Sequence, residues 1–376
     1  MKIAVVTNGF LPMTGGGEFV VHHLANQWVL QGHDVCVFNA FTHEKTHPEA
    51  LYSVIKYPIF RGATRFGYHR TPWRQTSTWF LNKALNKFNP DYISGHFSIP
   101  VAFYLAQLLP KRPWTITSHG ADIVANNVSS QRDKYNIDTI MAQALNKAKS
   151  VIAISNSAKK NLTDIGVRSE KIRLISNGVD AGRFQSQSEL SIRSKLSIPV
   201  SSKIILTVAR NYPEKNIEYG LAAVSIVKTM YPDIHYLIVG GGTHKLKPKI
   251  AELGLENTVT TCEGLAGNDL VAAYQQATVF LLTSHFECCP LVILEAMATG
   301  LPQVATKVEG NIDLIEDGKT GFLVDKEKPA DAAEAIANLL NDAALNDHMR
   351  QENLKRAPGY DWGDVATRYL HAAGMI

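Results

Sequence analysis

Glu287 and Glu295, with seven residues between them, are the carboxylates of this sequence best placed to do chemistry. They lie in FECCPLVILEAMATGLPQVAT, where Pro290 can begin a helix because a missing N–H costs nothing in the first turn. Gly300 ends that helix and Pro302 prevents its continuation. The apolar run VFLLTS precedes it, so the helix opens at the carboxyl end of a parallel strand, where open α/β sheets bind ligands. The amides of Leu291 and Val292 would face that ligand, and an anion is favoured there. Arg210 follows the run IILTVA, and Lys215 lies in the loop NYPEK. Two cations at a strand's carboxyl end suit a diphosphate whose charge rises as it leaves.

The first half holds a second group of candidates. Gly15, Gly16 and Gly17 lie between a strand and a helix, a place that can cradle a phosphate or a sugar. The spacing is not G-x-G-x-x-G, and the second strand ends in Asn39 rather than an acid, which counts against a dinucleotide cofactor. His119, Gly120 and Asp122 follow the strand WTIT, and His96 follows DYISG as a weaker candidate.

The elements that position these residues alternate between short β-branched runs and amphipathic helical stretches, which predicts parallel sheets with crossover helices. Strands are expected at Lys2–Thr7, Val35–Phe38, Tyr92–Ser94, Trp114–Thr117 and Val151–Ile154. A helix over Phe19–Gln31 stops at Gly32. The cycle restarts after the polar segment SQSELSIRSKLSIPVSS, with strands at Ile204–Val208, His235–Val239, Val279–Leu282 and Gln303–Thr306. Two Rossmann-like domains are therefore expected, 1–183 and 184–359, followed by a terminal helix over 360–376.

Composition narrows the class. A formal net charge of +4 is too small to argue for nucleic acid as a partner. The four cysteines form no C-x-x-C pair, and no His/Cys cluster has zinc spacing. The N-terminus MKIAVVTNGF reads as a strand rather than a signal peptide, and no run reaches the ~20 apolar residues of a membrane span. A cytoplasmic protein is expected.

The paired-glutamate block, with Ala296, Met297, Ala298 and Gly300 behind it, resembles the signature of glycosyltransferase family 4. The His-Gly-x-Asp segment at His119, the Arg210 and Lys215 spacing, SNGVDAGRF and the terminal DWGDVATRYL are similar to that family too. Where many members carry Gly-Phe-Gly after the first glutamate, this chain has Cys288, Cys289 and Pro290. The resemblance implies a GT-B fold, two facing Rossmann-like doubly wound domains with the active site in the cleft between them. It implies a retaining transferase that moves a sugar from a UDP- or GDP-sugar to an acceptor hydroxyl, on a lipid-linked or polysaccharide glycan. In it Glu287 and His119 meet the donor sugar, Glu295 the ribose, and Arg210, Lys215, Leu291 and Val292 the diphosphate. The loop Gly15–Gly17 approaches the phosphates and the acceptor, and the final helix crosses back onto the first domain with Trp362 as an anchor. No cofactor is implied beyond the donor itself, and the absence of D-x-D leaves no essential metal expected. The rivals are a nucleotide-sugar epimerase or phosphorylase of similar fold, and a non-catalytic nucleotide-sugar-binding protein.

One segment stands apart. From Leu51 to Pro90 there is no acidic residue, while Lys56, Arg61, Arg65, Arg70, Arg74, Lys83 and Lys87 alternate with seven aromatic side chains, from Tyr57 to Phe80. Two readings stay open: a helix with solvated cations and a buried aromatic face, or a contact with anionic membrane or a lipid-phosphate acceptor at the inner face of the membrane.

Overall fold

Strands apolar on both faces need helices on both sides, and the chain meets that need twice. A computed structural model describes residues 1–11, 15–40, 47–58, 71–120 and 136–376, with backbone alone for 71–74. Two units emerge, Met1–Asn177 with Trp362–Ile376, and Gly178–Asp361.

In the first unit β1 (Lys2–Thr7), α1 (Gly16–Leu30), β2 (Asp34–Asn39), β3 (Ser53–Lys56) and α2 (Thr71–Phe88) come first. β4 (Tyr92–His96), α3 (Ser98–Leu105), β5 (Trp114–Ser118), α4 (Ile137–Leu145), β6 (Ser150–Ala153), α5 (Asn156–Asp164) and β7 (Ile172–Leu174) follow. The strands form one sheet in the order β3-β2-β1-β4-β5-β6-β7, and every pairing is parallel. The order reverses direction between β1 and β4, which makes that point a ligand crevice by topology. Helix α1 buries Val20, Val21, Leu24, Ala25 and Trp28 at helical spacing, and Gly32 leaves it with φ +85°.

The second unit repeats the plan. α6 (Ala181–Gln185), α7 (Ile192–Leu196), β8 (Lys203–Val208), α8 (Ile217–Met230), β9 (Ile234–Val239), α9 (Lys247–Glu252), β10 (Val259–Cys262) and α10 (Gly267–Gln276) lead to β11 (Val279–Leu282). α11 (Leu291–Ala298), β12 (Gln303–Thr306), α12 (Glu309–Leu314), β13 (Gly321–Val324), α13 (Pro329–Asn341) and α14 (Ala343–Arg356) complete it. Its parallel sheet runs β10-β9-β8-β11-β12-β13, with the reversal between β8 and β11. Pro290 stands one residue before α11. Gly300, with φ +74°, closes that helix as its amide donates to Met297 O and the Leu301 amide to Ala296 O.

The terminal helix α15 (Trp362–Ala373) belongs to the first unit and packs on α1. Trp28 Nε1 donates to Ala366 O at 3.1 Å, and Trp362, fully buried, stacks on His23. Among the described residues no helix is long and apolar enough to cross a membrane.

Candidate active site

In the second unit the candidates gather at the carboxyl ends of β8 and β11, the two strands that flank the reversal. The loops leaving these strands are laced together. Thr283 Oγ1 donates to the carbonyls of Lys215 (3.1 Å) and Asn216 (2.9 Å), and the His285 amide donates to Glu214 O at 2.8 Å. That lacing brings Lys215 onto Glu287, Nζ to Oε1 at 2.6 Å, and Ser284 Oγ donates to the same oxygen at 2.7 Å. Glu287 is 7% exposed, so its charge is held mainly by these two donors. Its backbone is gripped as well: the Gly310 amide donates to Glu287 O, and a Cβ on Gly310 would stand 2.6 Å from the carbonyl carbon of Cys288. Arg210 lies in the β8 loop with its guanidinium 4.7 Å above the Tyr212 ring.

Helix α11 starts in this same region, so the amides of Leu291 and Val292 in its first turn have no intrahelical acceptor. Glu295, further along the helix, accepts from Tyr274 Oη at 2.7 Å. Tyr274 is buried between Phe184 and Phe280 and holds the carboxylate from α10. Burial raises the Glu295 pKa; the Tyr274 hydrogen bond and the nearby Arg183 charge oppose that rise. Sequence reasoning did not find Ser284, Tyr274 or Arg183. The signal available for Tyr274 was an aromatic hydroxyl on the inward face of an amphipathic helix, which spacing alone does not connect to Glu295.

In the first unit His119 leaves the end of β5, partly exposed, and lies against α1: a Cβ on Gly17 would stand 2.5 Å from the Phe97 ring and 3.4 Å from His119 Cγ. Gly15 is faced by Glu18, whose Oε2 would lie 2.3 Å from an added Cβ, while Gly16 has open space around it. His96 is fully buried, so it does not reach an acceptor; it sits behind His119, with Nδ1 3.2 Å from His119 Nε2. Asp122 lies outside the described residues, as do 59–70 of the basic segment. On α2, Leu81 and Leu85 face inward, whereas Trp79 is 57% exposed with Lys83 Nζ 5.5 Å from its ring. Tyr57 is buried.

One group of side chains with metal-ligand chemistry occurs among the described residues, His22, His47 and Glu49, their ligand atoms within 4.8 Å of one another. A tetrahedral zinc ion bound at about 2.1 Å draws its ligands to about 3.4 Å apart.

Residues 14–183 match the family described as Glycosyltransferase Family 4, and residues 188–356 match Glycosyl transferases group 1. D-inositol 3-phosphate glycosyltransferase from Corynebacterium urealyticum is 32% identical, over 74% of this chain and 70% of that protein. The chain belongs to glycosyltransferase family 4. Among solved structures, Anabaena HepE in complex with UDP and glucose aligns over 100% of both chains with a TM-score of 0.82 at 20% identity. Sucrose-phosphate synthase from Thermosynechococcus elongatus aligns over 100% of this chain and 98% of its own, with a TM-score of 0.81 at 21% identity. These two likenesses show the fold, the GT-B type. The family 4 enzyme is thus a glycosyltransferase, which sets aside the epimerase and the non-catalytic binding protein.

Proposed function

We propose that this family 4 enzyme is a retaining transferase whose second unit holds a nucleoside-diphosphate sugar by its nucleotide. The observation that carries this is the convergence of Arg210, Lys215, Glu287 and the amino end of α11 at the carboxyl ends of β8 and β11. Arg210, Lys215 and the Leu291 and Val292 amides take the diphosphate, and Glu295, oriented by Tyr274, takes the ribose hydroxyls. Glu287 accepts from sugar hydroxyls, its charge balanced by Lys215. As the anomeric C–O bond to the diphosphate breaks, these cations and dipoles stabilise the departing charge. The acceptor oxygen bonds to the anomeric carbon on the same face, and its proton passes to the departing phosphate oxygen. Side-chain cations do here what a metal does elsewhere, and no further cofactor is assigned.

In the first unit His119 is assigned to the donor sugar and Gly15–Gly17 to sugar and acceptor hydroxyls. Glu18 lies over Gly15, and a carboxylate there opposes a phosphate but welcomes a hydroxyl. The relative named for D-inositol 3-phosphate makes a phosphorylated polyol one acceptor to test, beside lipid-linked glycans. A panel of UDP- and GDP-sugars, screened by thermal shift and then by nucleotide release with and without acceptors, tests the reading. Glu287→Ala and Lys215→Ala should abolish release; near wild-type release in both means that the site lies elsewhere. The exposed Trp79 and Lys83 favour peripheral contact with an anionic inner leaflet. Cosedimentation with phosphatidylglycerol vesicles but not phosphatidylcholine ones is expected, and loss of that preference in Trp79→Ser with Lys83→Gln.

A further inference from the structure

His96 occupies the last position of β4, at the reversal of the first sheet, and is completely buried. Both of its ring nitrogens are consumed inside the protein. Nε2 lies 3.2 Å from Ser94 Oγ, two residues back on the same face of the strand, and Nδ1 lies 3.2 Å from Nε2 of His119. The two imidazoles stack with centroids 5.4 Å apart and planes 25° apart, and the Tyr369 ring is 10° from the plane of His96. Phe97 closes on His119 from another side at 4.5 Å. It does so from a left-handed conformation, φ +65°, that a bulky residue rarely takes, with its amide tied to Thr117 O at 3.0 Å. His119 is thus held at Nε2 and along one ring face by groups that cannot exchange with solvent.

We infer that His96 is a positioning residue for His119: the buried line Ser94–His96–His119 fixes the tautomer and the ring plane that His119 presents to the donor sugar. A neutral imidazole has one N–H and one lone pair, so an ordered Ser94–His96 pair leaves only one sense for the bond to His119 Nε2. Burial keeps His96 uncharged, and a proton on His119 would oppose protonation of His96 further. The tautomer of His119 is then defined by the buried partner at its Nε2. This rests on the assignment of His119 to the sugar.

The test is ¹⁵N NMR of the histidine rings in the full chain, with His119 assigned through His119→Gln, together with nucleotide release from the donor that the panel selects. In the wild type His119 should show one dominant tautomer. His96→Leu, similar in volume but without ring nitrogens, should give averaged ring shifts. Its turnover should fall about 10–100-fold with little change in donor KM, as when the outer partner of a metal-bound imidazole is removed. His96→Asn, whose amide falls near Nδ1, should restore most of both. Unchanged His119 shifts or unchanged turnover in His96→Leu overturns the inference. If His96→Leu loses its circular dichroism, Ser94→Ala decides by the same shifts, which should move in the same direction. Wild-type turnover in His119→Gln would instead sink the assignment of His119, whereas the ring shifts report the coupling on their own.

Discussion

Replacing Lys215 by Met keeps the aliphatic stem and removes the charge. Glu287, 7% exposed, would then keep Ser284 Oγ at 2.7 Å as the remaining one of its two side-chain donors. Removing one partner of a fully buried pair costs about 3–5 kcal/mol. Here the Lys215 side chain is 25% exposed and one donor survives, which brings the expected loss to about 2–3 kcal/mol. In a unit of this size that is a fall of about 5–10 °C in the transition that unfolds it. Glu287→Gln alone should cost less, about 1 kcal/mol, because an uncharged amide can still accept from both donors. In the double variant no buried charge is stranded, so the two losses should fail to add by about 1–2 kcal/mol. Thermal and urea unfolding of the wild-type chain, both single variants and the double variant give that coupling directly. Additivity within about 0.5 kcal/mol would show that the Lys215–Glu287 contact does not hold the two loops together. The reasoning would then be wrong at its base, because the same contact sets the charge balance proposed for the donor.

Acid should destabilise the first unit through His22, whose pKa is lowered to about 3 by burial first and then by the neighbouring His23 and His47. The unfolded imidazole takes a proton near pH 6.5 that the folded one refuses, so stability falls as pH drops from about 6.5 towards 3, by about 2 kcal/mol at pH 5. His22→Asn should flatten that slope in pH-dependent unfolding, and an unchanged slope refutes the attribution. Tyr274→Phe removes a donor that favours the ionised form of Glu295, so its pKa should rise further. Calorimetric affinity for the nucleotide product should drop about tenfold, and an unchanged affinity would exclude a ribose role for this carboxylate. Gly310→Ala drives a Cβ to within 2.6 Å of backbone and should cost about 1–3 kcal/mol in thermal unfolding together with nucleotide release. Gly241→Ala, with nothing within 4 Å, is the control that should leave both unchanged.

How far the sequence reached follows from where each signal is stored. The central strands were legible because both of their faces are covered, which demands an unbroken apolar run. Lys2–Thr7, Val279–Leu282 and Gln303–Thr306 fold as strands over the residues read for them. The strands not read, Ser53–Lys56, Ile172–Leu174, Val259–Cys262 and Gly321–Val324, are the four sheet edges. An edge strand needs only partial burial, as the half-exposed Val54 and Ile55 show, so its composition resembles that of a loop. The stop at Gly300 was also local, because it depends on one residue's φ and the carbonyls just before it.

Residue type and spacing likewise singled out Glu287, Glu295, Arg210 and Lys215 as chemically capable, because strand ends and helix starts can be recognised from neighbours in the chain. Which atoms they touch was a different matter. Lys215 and Glu287 are 72 residues apart, and they meet because β8 pairs with β11, a strand order that nothing within either segment encodes. The hold of Tyr274 on Glu295, and of His96 on His119, depends in the same way on which elements pack side by side. Periodicity, caps and turns are short-range physics and so are written along the chain. Partners are chosen by register and packing across a sheet, where the free energy belongs to the assembled unit and to no single stretch of it.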